Sequence, residues 1–158
     1  MKNLGVFCLL FSCVIFGSCK NNQSEKIPVA TPEEAPVKVE CYTALYEKDT
    51  IALKMNTFKH GHITGNMDMV MANTPKYVGE VAGEFRGDTL FVSYTYIQGN
   101  NKETTFKNPM AFLKRDNQLI LGNGKIEVTL GAGHFVSGEP IDFDRVKYKL
   151  NPVDCVTK

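Results

Sequence analysis

The chain has 158 residues, of which 43% are hydrophobic and 22% charged, and its formal net charge is +1. That length suits one domain, and the near-zero charge lacks the basic footprint of a nucleic-acid binder. The apolar fraction is too high for a chain disordered throughout and too low for a polytopic membrane protein.

The N-terminal stretch departs from these averages. Lys2 is the only charge before Lys20, and Leu4 to Gly17 is almost wholly apolar. A spanning helix needs roughly 20 apolar residues. This run is shorter, starts basic and ends in small residues, the pattern of a secretory signal. Phe16-Gly17-Ser18-Cys19 resembles the lipobox of bacterial lipoproteins, where small residues precede a lipid-modified cysteine. Phe16 departs from the aliphatic residue usual there. The resemblance implies removal of residues 1–18 and acylation of Cys19, with the membrane as partner through an N-terminal lipid. Acyl chains anchor at about 0.8 kcal/mol per buried methylene. Lys20, in place of Asp, resembles the outer-membrane sorting pattern, with the domain then in the periplasm or at the cell surface. The alternative is an ordinary cleaved signal and a free Cys19.

The cysteines separate by role. Cys8 and Cys13 leave with the signal, and Cys19 takes lipid. Cys41 and Cys155 remain, and two cysteines in an oxidising compartment pair readily. A metal role for two isolated cysteines is the weaker alternative. Residues 19–38 form a tether: Pro28, Pro32 and Pro36 recur among polar and small residues, with no helical or strand period. Proline fixes φ and withholds a donor, so the segment reads as an extended, solvated linker.

Residues 39–158 form the domain, and their period is two, broken by turn signals. The spacing predicts strands over Val39–Leu45, Thr50–Phe58, His62–Met71, Tyr77–Arg86, Thr89–Gln98, Met110–Lys114, Gln118–Leu121, Lys125–Leu130 and Arg145–Leu150. Ile141–Val146 is long enough for one helical turn. The fold class is all-β: a small antiparallel up-and-down barrel of about eight strands, since closure removes exposed edges. A two-residue loop at Gly87-Asp88 pairs Arg86 with Thr89, Phe85 with Leu90, Gly83 with Val92, Val81 with Tyr94 and Gly79 with Tyr96. At Lys59-His60-Gly61 only an odd loop keeps Met55 and Met67 on one face, so a three-residue turn is predicted, with Gly61 at positive φ. The stretch GEVAGEFRGDTLFVSYTY, Gly79 to Tyr96, resembles small bacterial outer-membrane lipoproteins with a calycin-like barrel; the Cys41 and Cys155 ends match loosely. The resemblance implies that fold and an envelope location, and carries no site.

Several residue groups invite a site. Arg86-Gly87-Asp88 spells an integrin-binding tripeptide, but Gly and Asp are ordinary hairpin residues. Met67, Met69 and Met71 offer thioethers suited to Cu(I) near His60 and His62, yet His62 falls on the other face and methionine is a flexible core filler. His134 follows Gly131-Ala132-Gly133, read as a rim loop without a nucleophile beside it. Glu139, Asp142 and Asp144 lack calcium-loop spacing and precede Arg145 and Lys147, so solvated ion pairs explain them.

The barrel interior is the remaining candidate. Gly65, Gly79 and Gly83 face inward and remove volume where Tyr94 and Tyr96 add it. Either the tyrosines fill that space, the favoured reading, or Met67, Met69, Tyr94 and Tyr96 line a cavity for a small apolar ligand. No catalytic residues, cofactor or metal are expected. The chain reads as a lipid-anchored envelope lipoprotein, a non-enzymatic binding module for a small apolar ligand or an envelope protein. The alternative is an inhibitor of an envelope-directed enzyme such as a lysozyme or protease, inserting a loop at Asn73–Lys76 or Gly99–Glu103.

Overall fold

A computed structural model describes residues 34–130 and 132–156. Residues 1–33, and with them the predicted signal, Cys19 and most of the tether, lie outside the described residues. The barrel begins slightly earlier than predicted: the Val37 amide donates to the Thr57 carbonyl at 2.8 Å, and Lys38 already belongs to the first strand.

Ten strands run along the chain: β1 (Lys38–Tyr46), β2 (Asp49–Thr57), β3 (His62–Val70), β4 (Tyr77–Arg86), β5 (Thr89–Gln98), β6 (Asn101–Arg115), β7 (Gln118–Leu121), β8 (Ile126–Thr129), β9 (Ala132–Phe135) and β10 (Lys149–Val153). Eight close into an antiparallel up-and-down barrel in the order β1-β10-β7-β6-β5-β4-β3-β2, the calycin-like form expected, while β8 and β9 make a separate hairpin. Inward positions carry Tyr42, Ala44, Ile51, Leu53, Met55, Ile63, Met67, Val81, Leu90, Val92, Tyr94, Phe112, Leu119 and Leu150, all buried. Lys54, Glu80, Glu84 and Thr95 point outward into solvent. A barrel that spans a lipid bilayer has the reverse arrangement.

Register follows the hairpins. Every pairing expected around Gly87-Asp88 is present, from Arg86↔Thr89 to Gly79↔Tyr96. Between Phe58 and His62 the turn holds three residues, with the Phe58 amide donating to the His62 carbonyl at 2.9 Å and Gly61 at φ 78°. Met55 and Met67 consequently share the inner face, both buried.

The inward glycines do more than clear volume. A Cβ on Gly79 would meet the Thr95 carbonyl oxygen and lie 2.7 Å from the Tyr96 Cβ; one on Gly83 would meet the Phe91 carbonyl oxygen and lie 2.8 Å from the Val92 Cα. Backbones approach here more closely than a side chain allows, as where glycine lets a sheet coil into a barrel. Gly83→Ala is expected to destabilise the fold by about 1–3 kcal/mol, the usual range for overpacking. A urea midpoint unchanged within error would contradict that close approach.

Four sequence expectations are corrected. β6 starts at Asn101, well before Met110, because its first half is exposed on both faces and shows little alternation. Ala132-Gly133-His134 is strand β9 and not a rim loop; its glycine and short length disguise it. The last strand is Lys149–Val153 and not Arg145–Leu150, and Ile141–Val146 holds no helical turn. Instead the Asp142 carboxylate accepts from the amides of Asp144 and Arg145 at 2.9 and 3.0 Å, and this side-chain capping replaces helical bonding.

The two barrel ends differ. At the end where β1 begins, Glu40 lies 2.9 Å from the Lys38 ammonium and accepts from the Tyr42 hydroxyl at 3.0 Å. Lys114 stands 3.9 Å away. Burial raises the Glu40 pKa, but these hydrogen bonds and positive charges outweigh it and hold it below its ordinary value. Beside this charged plug, Cys41 and Cys155 form a disulfide, their Cα atoms 5.3 Å apart.

Burial, and then the Glu40 hydrogen bond and charge, push the Tyr42 phenol up to about 12. Burial and the bond to Asp49 do the same for Tyr148, also to about 12, and burial raises Tyr94 as well. A raised folded value favours the neutral phenol, so its stabilisation is complete below pH 10.0 and falls as pH rises toward 12. In a spectrophotometric titration these phenols should ionise late, and denaturant should return them to ordinary behaviour. Early ionisation in the folded protein would refute this.

Candidate functional site

The barrel wall is uneven. β6 pairs with β5 from Asn101 to Leu113 but with β7 only from Phe112 to Arg115. β10 pairs with β7 at Lys149 and Leu150 alone. Beyond Leu121 the chain stays beside β6 for one more bond, Gly122 amide to Ala111 carbonyl at 2.9 Å, and then turns away to bridge Asp142 through Asn123. Pro109 stands where β6 has lost this neighbour. Proline withholds a donor, and natural sheets use it to blunt an unpaired edge.

The departing segment passes over the gap. Gly122 and Gly124 admit side chains closely: a Cβ on Gly122 would lie 2.5 Å from Ile141, and one on Gly124 would lie 2.8 Å from the Phe135 ring. Phe135 also meets the Phe91 ring edge-on, with centroids 6.3 Å apart, which ties β9 to the outer face of β5. Gly133 of β9 faces Pro109, where a Cβ would lie 3.1 Å from its ring.

Between this segment and the barrel lies a cavity of about 240 Å³. From the barrel come Met69, Tyr77, Tyr94, Tyr96, Asn108, Pro109, Met110 and Leu121; from the overlying segment, Gly122, Asn123, Gly124, Ile126 and Phe135. The aromatic side is a ladder. Tyr94 stacks on Tyr96 with centroids 4.7 Å apart, Tyr96 on Phe106 at 5.5 Å, and Tyr77 leans against Tyr96 at 5.3 Å. The Tyr94 hydroxyl donates to the Met67 carbonyl at 3.0 Å, which removes it as a handle. The Tyr96 hydroxyl accepts from the Asn108 amide at 3.2 Å.

Of the four interior residues singled out from sequence, Met69, Tyr94 and Tyr96 come together on this wall, and Met67 does not. Met67 is fully buried, opposite Leu53 and Gly79. Parity reads which face a side chain takes, but not its depth along the barrel. Asn108, Met110 and the Gly122–Phe135 contribution were missed. Their strand context depends on where β7 ends, which no local pattern announces.

The mouth is latched at its rim. Asp49, which opens β2, accepts from the Tyr148 hydroxyl at 2.6 Å and from the Ala72 amide at 2.7 Å. Tyr148 also meets the Tyr46 ring edge-on at 6.0 Å. The Tyr148 and Ala72 hydrogen bonds hold the Asp49 carboxyl below its ordinary value. A depressed folded pKa stabilises above the ordinary carboxylate value of 3.8 and loses that contribution as pH falls through the folded value. Asp49→Asn should flatten the acid limb of the melting-temperature profile below that pH; an unchanged limb would show the latch is not coupled to folding.

The other candidate groups resolve into local structure. Arg86 of the tripeptide turn bonds Glu84 at 3.0 Å and lies over the Phe91 ring. Met71 takes a contact from the Tyr148 hydroxyl at 3.4 Å, while His62 lies near Phe58 on the outer face. His134 faces Glu127 across the hairpin at 2.9 Å. The acidic run is ion-paired as expected, but only Asp142 uses a neighbour, Arg145 at 2.8 Å; Asp144 pairs with Arg115 at 3.1 Å and Glu139 with Lys125 at 3.7 Å, in place of Lys147. Gly99–Glu103 is not an insertable loop: Gly99 and Asn100 make a short turn, and Asn101 begins β6. Asn73–Lys76 does form the β3–β4 connection. Among the described residues, no cluster of His, Cys, Asp or Glu suits a metal ion.

No family model, curated protein or solved structure matches the chain.

Proposed function

We propose that the chain is a lipid-anchored lipoprotein of the bacterial outer membrane whose barrel serves as a non-enzymatic binding module for a small, mainly apolar ligand. The cavity beside the tyrosine ladder carries this reading. Its walls are aromatic, aliphatic and thioether, with a few polar groups, the composition of a small-molecule site. Drug-sized sites run about 300–1,000 Å³, so 240 Å³ suits a smaller guest. Among the described residues its titratable groups are the phenols of Tyr77, Tyr94 and Tyr96, with no Ser, Cys, His or carboxylate beside them in the lining, which supports the non-enzymatic reading.

The address rests on Phe16-Gly17-Ser18-Cys19 and the tether after it. β1 begins at the plugged end, while the cavity lies near the ends of β3, β5 and β7, at the other.

Two experiments test the two halves. Globomycin should cause the full precursor to accumulate; a freely soluble, drug-insensitive mature form would overturn lipidation. Protein captured from envelope extracts should carry a small organic compound near one-to-one, and Met110→Trp, which fills the cavity, should lose it. Equal recovery with both proteins would place the compound elsewhere.

A further inference from the structure

Taking the cavity as the ligand site, we infer that its guest is an uncharged ring compound bearing one neutral hydrogen-bonding group, such as a carboxamide or lactam, and that acidic and basic analogues are excluded. This rests on the binding reading above and narrows it by chemistry.

Charge is decided by the lining. Every side chain around the void is neutral, from Met69 and Tyr77 to Phe135. The cavity is open on one side, where Asn108, Asn123 and Ile126 are exposed, so a carboxylate or ammonium seated against these walls would lose part of its hydration and meet no countercharge in return, a net cost that a neutral group avoids.

The hydrogen-bonding group is decided by Asn108 and Tyr96. Their mutual bond of 3.2 Å uses one donor and one acceptor. With the amide nitrogen donating, the phenol proton, the second amide N–H and the amide oxygen remain for a guest. With the amide turned over, the phenol would donate to the oxygen, leaving both N–H donors and a phenol lone pair. Either orientation presents at least one donor and one acceptor together. Their complement is a neutral group that also carries both.

The ring is decided by size and walls. An apolar cavity of about 150 Å³ holds benzene. The 240 Å³ here leaves a remainder of about 90 Å³, room for roughly three further non-hydrogen atoms at water's share of ~30 Å³ each. That is the size of a carboxamide. Met69 and Met110 add thioethers beside the rings of Tyr77, Tyr96 and Phe135, and sulfur favours aromatic edges over alkyl chains.

The test uses the full-length chain and five probes: benzamide, benzoate, benzylammonium, hexanamide and toluene, titrated by ligand-observed NMR at neutral pH. Benzamide should bind at least tenfold more tightly than benzoate, benzylammonium or hexanamide. Tyr96→Phe, which keeps the stacked ring, should weaken benzamide about tenfold and leave toluene unchanged. Benzoate or benzylammonium matching benzamide would overturn the neutral-guest inference while the site stands. Hexanamide matching it would overturn the ring. Benzamide unaffected by Tyr96→Phe would overturn the polar contact. If no probe saturates, the binding reading itself falls.

Discussion

Reducing the Cys41–Cys155 bridge should cost the barrel about 2–5 kcal/mol, the usual range for a native disulfide. The bridged residues are 114 apart, and chain entropy alone gives about 5 kcal/mol for such a loop. Its position makes the expectation firm. β1 and β10 close the barrel through only three paired positions, Cys41↔Val153, Tyr42↔Pro152 and Thr43↔Asn151, whereas β1 and β2 pair along their whole length. One of the three is a proline without a donor. The wall is therefore thin on both sides of β10, which meets β7 at only two paired positions and the Gln118–Asn151 side-chain bond at 2.7 Å. Urea titration of oxidised protein, reduced protein and Cys41→Ser/Cys155→Ser measures the difference. Amide exchange should show β10 and β7 opening first in the reduced form. A loss under about 1 kcal/mol would mean the seam holds without its staple, well below the range for such bridges.

Phe112→Ala should be of similar size, about 3–5 kcal/mol, as for other buried aromatic truncations. Phe112 is fully buried on β6, opposite Leu90 of β5 and Leu121 of β7. It is where the continuous wall hands over to the short strand, so its removal leaves a void that neither neighbour can fill without breaking register. Against a typical total of about 5–15 kcal/mol, loss of both Phe112 and the bridge should leave little folded protein. Equilibrium unfolding of the single variants and their combination reads this. A loss under about 1 kcal/mol for Phe112→Ala would show that the core there collapses around the gap.

How far the sequence carries depends on how regular the wall is. From β2 to β5 each strand has two neighbours along nearly its full length, one face wet and one dry, and alternation plus turn length recovered even single-residue register. Asn101 to Lys107 has a neighbour on one side and is exposed on both faces, so Phe106 alone hints at a strand. Strand β8 lies within the predicted Lys125–Leu130, but its partner β9 hides, as does the hairpin's separation from the barrel: Val128 and Leu130 are largely exposed, so their apolar character reports no core. Most of the site shared this fate. Met69, Tyr94 and Tyr96 were legible as inward residues, but Asn108 lies in the exposed half of β6, and Phe135 reaches the cavity only through the tertiary path of a segment with no local period.

The bridge has a consequence for survival among proteases. It joins the two ends of the folded chain, so a single cut anywhere between Cys41 and Cys155 leaves one covalent molecule. The long excursion from Gly122 to Tyr148 is the most accessible place for such a cut, and it lies outside the eight barrel strands apart from its own hairpin. A nicked barrel would migrate as intact protein until reduced and then separate into two fragments. Cleavage there would strip the cover from the cavity while the cylinder stayed closed, which separates loss of binding from loss of the protein.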